Sequence, residues 1–440
     1  ISDLGAQLFH CGKIVQSTMS YKAATPKKRI CPAISFARTH GWEAPGVQDT
    51  KMLGIRRMTS AAVREVAYDP HLPRFEDIVI AVNTSKIPEE VRESALPGIW
   101  PIVIQMSTDD PRRMKHRRFW AEHLPALGEV PDEQMPEFVV PKQFSKMDFR
   151  NFHAIFGAIA VNYFRQLFGA EYDWDPMELM GYRDAQMNFI GGGTATSGIQ
   201  YKTKVIGGLM TLFIGNPAEE LAARRRRLEE KVFQSKAAKE FIAKARQQGI
   251  VDGESELRHF LFGLFFAGLL GTPQMVEAII LMIDSEPKIY VPLFRADPDA
   301  FMLEAARFQV TVGGMVYPVR EEANFTVNGK VYTERPGDWA ITWNPGHNFD
   351  PHVFGGPTKD SEYAQRFIPG RENADRLLTW NNELRDVRKC KDAAGCPAAP
   401  RPCPGIHLAR RVSRQVVEFF LGGIEEELRR SGAGGASKEL

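Results

Sequence analysis

Near the end of this chain, Arg401-Pro402-Cys403-Pro404-Gly405 opens a strongly patterned helix. Behind it, Leu408, Ala409, Val412, Val416, Phe419 and Phe420 recur at helical spacing and predict one buried face. A cysteine just before a helix start meets free backbone N–H groups and the positive end of the helix dipole, so its thiolate is favoured. Gly405 removes a Cβ where another group would have to approach the backbone closely. About a hundred residues upstream, Glu304-Ala305-Ala306-Arg307 sets an acid and a base one helical turn apart.

Composition narrows the field. The chain has 440 residues and is 43% hydrophobic, enough to bury a substantial core. A net charge of +2 gives no field argument for nucleic acid or for an acidic partner. The basic tract Arg224 to Arg227 lies in a long polar stretch and reads as a solvated helix face, with a docking patch for an acidic partner or a membrane as the alternative. Five cysteines, Cys11, Cys31, Cys390, Cys396 and Cys403, form no dense framework and fit a reducing compartment. The last three lack Cys-x-x-Cys spacing, which argues against a zinc cluster. Cys396 is the rival thiolate to Cys403, since it too precedes a proline, but no helical pattern follows it closely and no glycine stands two positions on. No segment is long and apolar enough to span a bilayer, so the expected location is cytoplasmic or peripheral to a membrane.

The order of elements is mostly helical. Phe149 to Leu167 alternates large apolar residues at helical spacing, Leu257 to Ile283 is the longest apolar helix, and Ala300 to Phe308 carries the Glu304/Arg307 pair. Strands are predicted at Met315–Val319, at Asn324–Val331 with a turn at Asn328-Gly329, and at Trp339–Thr342. Scattered β-type runs, such as Asp77 to Val82, occupy residues 50 to 105. The expectation is a mainly α fold with a small β-sheet region. One catalytic domain covers residues 1–430, with a less certain β-containing part at 1–105, and a flexible tail covers 431–440.

A thiolate presented at a helix start in this way is the proximal ligand expected of a heme-thiolate enzyme. The surrounding residues resemble the cytochrome P450 superfamily. Its heme loop has arginine two residues before the cysteine and glycine two after, as Arg401, Cys403 and Gly405 do here. Its Glu-x-x-Arg motif matches Glu304 and Arg307. Asn348-Phe349-Asp350-Pro351 stands where the family has Asn- or His-Arg-Asp-Pro, and Gln365-Arg366-Phe367 resembles the Glu-Arg-Phe that completes a Glu-Arg-Arg triad. The loop departs from the pattern at Cys396 and Ala399, where the family has Phe and Gly. The resemblance implies a cytochrome P450-like fold, heme b as cofactor, Cys403 as the iron ligand, and a structural triad of Glu304, Arg307 and Arg366. It also implies propionate contacts from Arg401, from Arg320 in Pro318-Val319-Arg320, and from Arg113 and Arg117. These two occupy the histidine and arginine places of an Asp-x-Pro-x-His-x-x-x-Arg helix.

The central helix sets the expected reaction. Oxygen-activating members of the family carry Ala/Gly-Gly-x-Asp/Glu-Thr, whose acid and alcohol relay protons. This chain reads Ala267-Gly268-Leu269-Leu270-Gly271-Thr272-Pro273. Leu270 holds the place of the acid and Gly271 that of the alcohol. Thr272 comes one residue late, about 100° round the helix, and Pro273 is expected to bend or break it. The missing pair is similar to the branch of allene oxide synthases and hydroperoxide lyases, whose substrates bring their own O–O bond. That likeness implies rearrangement or cleavage of a lipid-like hydroperoxide at ferric heme, with no redox partner required. The pocket would be lined by Phe265, Phe266, Leu269, Leu270, Met315 and Val316. The alternative is a monooxygenase or peroxygenase that hydroxylates a hydrophobic small molecule. A heme-binding sensor or carrier without turnover is a third reading.

Overall fold

The computed structural model describes residues 47–49, 55–58, 111–127, 131–187, 217–250, 253–310, 314–318, 322–327, 330–335, 339–380, 384 and 403–430. The run at Asp77–Val82, the 431–440 tail and all cysteines but Cys403 lie outside them. Two short strands come first, β1 (Val47–Asp49) and β2 (Ile55–Met58), and then helices α1 (Pro111–His123), α2 (Phe152–Phe168) and α3 (Pro176–Met187). Helices α4 (Pro217–Gln234), α5 (Lys236–Gln247) and α6 (Gly253–Gly263) lead into a π-helical turn at Leu264–Gly268. Beyond that turn run α7 (Leu269–Ser285), α8 (Pro287–Ala296) and α9 (Pro298–Phe308). Strands β3 (Gly314–Pro318), β4 (Ala323–Val327), β5 (Lys330–Glu334) and β6 (Trp339–Trp343) follow. The short helices α10 (Asn344–Asn348), α11 (Pro351–Phe354) and α12 (Ser361–Gln365) precede the long α13 (Ile406–Arg430).

Local chemistry sets several of these boundaries. Asn151 caps α2, its side chain accepting the His153 N–H at 3.0 Å. Asp297 caps α9 by accepting the Ala300 N–H at 2.9 Å, and Pro298 fills the first helical position, where a missing N–H costs nothing. β4 and β5 pair as an antiparallel hairpin. β3 and β6 pair antiparallel, and β6 also takes β2 in parallel and through it β1, so the N-terminal strands join the sheet that follows α9.

Helix α2 is buried on nearly every side, as an all-round apolar helix must be. α7 and α13 pack against it and against each other. Val412, Val416, Val417, Phe420 and Leu421 of α13 are fully covered, and truncating Phe420 to alanine would cost about 3–5 kcal/mol. Phe419 sits at the margin, on Phe149. In the basic tract of α4, Arg224 pairs with Glu220 and Arg225 with Glu229, while Arg226 and Arg227 are exposed. No helix among the described residues is long and apolar enough to cross a membrane.

Candidate heme-thiolate site

Glu304 and Arg307, one turn apart on α9, are 1% and 0% exposed. Arg307 donates through Nη2 and Nε to the two carboxylate oxygens of Glu304 at 2.8 and 2.9 Å. The third member of this cluster is not Arg366, which corrects the motif reading. The Arg366 side chain is 65% exposed beside Glu362, and only its carbonyl faces inward, accepting from Arg307 and Arg371. Arg371 supplies the second guanidinium, its Nε 3.0 Å from both Glu304 oxygens. The Ile368 N–H adds a further donor to Glu304 at 2.8 Å. Burial pulls the Arg307 guanidinium below its ordinary value, and Glu304 pushes it back. Isolated, any of these charges would be prohibitive; here every one has partners.

The cluster reaches the cysteine through a chain of buried contacts. Arg307 Nη1 donates to the Asn348 carbonyl at 2.7 Å. The Asn348 side chain accepts the Leu378 N–H at 2.9 Å and donates to Thr379 Oγ1 at 3.1 Å. Thr379 Oγ1 donates to the Ala306 carbonyl, back on α9, at 2.8 Å. The next residue, Trp380, accepts the Cys403 N–H on its carbonyl at 3.1 Å. Thus the ion cluster, the Leu378–Trp380 segment and the cysteine form one connected support.

Cys403 is half-buried at the N-terminal end of the 25-residue α13, and the Ile406 N–H turns back to its carbonyl at 3.3 Å. A Cβ built on Gly405 would meet nothing within 4 Å, so the backbone there is open to a close approach. Among the described residues no group of three or more His, Cys, Asp or Glu side chains could chelate a metal ion. One soft thiolate at a helix start beside an open glycine is a donor set suited to heme iron rather than to a caged ion. Of the expected propionate partners, Arg117 is buried on α1 at 3% exposure and Arg113 lies one turn before it. Arg320 and Arg401 lie outside the described residues. Sequence reasoning missed the anchor of α1: Glu256 of α6 accepts from Trp120 Nε1 at 2.5 Å and lies 2.8 Å from His116 Nδ1.

The central helix differs from expectation in two ways. It does not break at Pro273; α7 runs on to Ser285. The irregularity comes earlier, in the π turn, where the Leu269 N–H reaches back five residues to the Leu264 carbonyl. The N–H that Pro273 lacks would have bonded to Leu269, the first residue after that widened turn, so the proline falls where the ladder is already disturbed. Secondly, Thr272 is turned into the bundle. It is 8% exposed, and the Tyr163 hydroxyl of α2 lies 3.2 Å from its Oγ1. Burial pushes the Tyr163 phenol above its ordinary value, so it stays protonated and able to donate.

What the π turn and α7 leave uncovered is a stripe of exposed Ala267 and half-buried Leu270, Gly271, Gln274 and Ala278. Gly268 is half-buried beside it, with room for little more, since a Cβ there would sit 3.2 Å from Leu264 Cδ1. Phe265 and Leu269, expected to line a pocket, are instead fully buried, Phe265 against Phe164 and Tyr182. Met315 and Val316 fall on β3, while the side chain of Phe266 lies outside the described set.

No protein-family model matches the sequence, and no curated protein matches it. Solved structures do. One, an unusual cytochrome P450-like monooxygenase involved in microbial secondary metabolism, is 14% identical, with 91% of this chain and 93% of that one covered and a TM-score of 0.53. Cytochrome P450 CREJ is 13% identical over 92% of this chain and 91% of its own, with a TM-score of 0.51. Its complex with (4-ethylphenyl) dihydrogen phosphate is similar over 88% of each chain, at a TM-score of 0.50. The chain has the cytochrome P450 fold.

Proposed function

We propose that this protein is a heme-thiolate enzyme of the cytochrome P450 type that rearranges or cleaves a hydrophobic hydroperoxide without a redox partner. Cys403 would hold the iron, with Gly405 leaving room for the ring and with Arg117 and Arg113 on the propionate side. Heme held by a thiolate supplies an iron that can cleave an O–O bond. The chain supplies the rest. The Glu304–Arg307–Arg371 cluster fixes the segment that holds the Cys403 amide. The uncovered stripe of α7 offers an apolar surface for the substrate.

The observation that carries the reaction type is the Tyr163–Thr272 contact. It commits the one hydroxyl of this helix segment to the bundle, and the uncovered stripe holds Ala267, Leu270 and Gly271 where an acid and an alcohol would be needed. Activation of free dioxygen requires protons delivered at that face. A substrate that already contains the O–O bond does not.

The test compares two assays on one preparation. Ferric protein mixed with a fatty-acid hydroperoxide, with no reductase, is expected to turn it over rapidly. The unperoxidised fatty acid with reductase and nicotinamide is expected to react slowly, with poor coupling. Leu270→Glu combined with Gly271→Thr should raise coupling in the second assay and leave the first no faster. Efficient reductase-dependent hydroxylation, with hydroperoxides ignored, would overturn this reading in favour of the monooxygenase.

A further inference from the structure

Gln186 is the next-to-last residue of α3 and is 0% exposed. Its Nε2 donates to the Phe262 carbonyl at 3.1 Å, two residues before the π turn begins. Its Oε1 is buried as well and has no partner among the described residues. A leucine would fill the position without leaving a polar atom unsatisfied. What the amide adds is one bond, and that bond runs to the helix that carries the uncovered stripe.

A second contact from α3 meets the turn itself. Tyr182, one turn before Gln186, sets its ring 4.4 Å from that of Phe265. Phe164 of α2 meets the same ring at 5.6 Å, and the Tyr163 hydroxyl meets Thr272 Oγ1 at 3.2 Å. The widened turn is thus gripped by α3 before and within it, and by α2 within and after it. The helix has a second place where such a turn could sit. Pro273 brings no N–H to the Leu269 carbonyl. A π turn there would give that carbonyl the Gln274 N–H, five residues on. Leu269, Leu270, Gly271 and Thr272 lie between the two places. Moving the widening from one to the other would turn these residues by about 100° about the helix axis and take Thr272 off Tyr163.

We infer that Gln186 is a positioning residue for the substrate face: its amide holds the widening at Leu264–Gly268, and so decides which side chains of the next turn are uncovered. What that face is used for rests on the hydroperoxide reading; how the turn is held does not. Gln186 acts through the Phe262 carbonyl and not by contact with the substrate.

The test uses heme-loaded ferric protein with Gln186→Leu, which keeps the volume and removes the donor. Gln186→Met is the second variant should the first fold poorly. Leu179→Ala, which truncates another buried residue of α3, is the control. Without substrate, hydrogen exchange read by mass spectrometry in peptides spanning Leu264 to Thr272 should be about ten-fold faster in the Gln186 variant, relative to the rest of the protein. Thr272→Val should lower the melting temperature of the wild type and hardly change that of the Gln186 variant, where Thr272 has left Tyr163. With a fatty-acid hydroperoxide and no reductase, the Gln186 variant should show KM raised about ten-fold or more with kcat little changed, and Leu179→Ala should leave KM where it is. Local exchange equal to that of the wild type overturns the inference. So does a Thr272→Val effect of the same size in both backgrounds, or faster exchange with KM unchanged, either of which makes Gln186 an ordinary core contact. Each of these leaves the hydroperoxide reading standing. A wild type that consumes no hydroperoxide sinks that reading alone, and the exchange and Thr272→Val measurements still decide on Gln186.

Discussion

Around Cys403 the chain is tied at every step, from Glu304 through Arg307, Asn348 and Thr379 to the Trp380 carbonyl that holds the cysteine amide. Around Ala267 the opposite holds. The π turn loosens the helix, Thr272 is directed into the bundle, and the uncovered stripe is nearly free of polar groups. One region uses buried charge to hold a cysteine segment still, and the other leaves its surface chemically bare. A support of that kind tolerates little change, because removing one partner strands the others. The bare face should accept substitution readily, because its residues make few obligatory contacts.

The largest effect should come from Cys403, the proposed ligand. Cys403→Ser should abolish the red-shifted Soret band of the reduced, carbon-monoxide-bound protein, and Cys396→Ser should keep it. Loss of the band in the Cys396 variant alone would move the ligand out of the supported region and dissolve the contrast.

Next comes the ion cluster. Arg371→Ala should destabilise the ferric protein by about 3–5 kcal/mol in denaturant titrations and impair heme retention. Arg366→Ala, at an exposed side chain, should stay within about 0.5 kcal/mol. Equal losses in the two variants would mean that the network does not discriminate between them.

The smallest effect concerns Glu277 of α7, which is 6% exposed and whose carboxyl burial raises to about 7, and has a sign set by that shift. A carboxyl held above its ordinary value contributes stability that is complete at low pH and is lost as pH rises through about 7. Glu277→Gln keeps the neutral form at every pH. It should therefore be more stable than wild type at about pH 8.5, by an amount on the order of 2 kcal/mol, and no different at about pH 4. Melting temperatures at the two pH values decide this. A variant less stable at both would show that the carboxylate has a partner.

Much of the support around Cys403 was legible because its motifs are local. Glu304 and Arg307 are one turn apart, and Cys403 precedes a helix with a clean apolar face. Arg366 misled because a motif match cannot say which way a side chain points. Arg366 is the C-cap of α12, where the backbone turns inward and the side chain outward, and Gly370, at φ +76°, redirects the chain so that Arg371 enters the core. The direction of Thr272 was partly legible: counting at about 100° per residue set it off the relay position, but the Tyr163 contact involves a residue more than a hundred positions away. The π turn left no recognisable mark in composition or periodicity. Glu277 was passed over because a lone glutamate in an apolar helix has no pattern around it.

The π turn has a consequence in terms of chain length. Five residues are spent where a plain α-helix would need about four to close the turn. Deleting one residue between Leu264 and Gly268 would let the helix close normally and rotate all of α7 by about 100° relative to α6. Thr272 would then occupy the angular place now held by Gly271, on the uncovered stripe, while Glu277 would swing away from it. The character of this face is thus governed by a count of residues, and a single-codon deletion would exchange a bare surface for one that carries a hydroxyl.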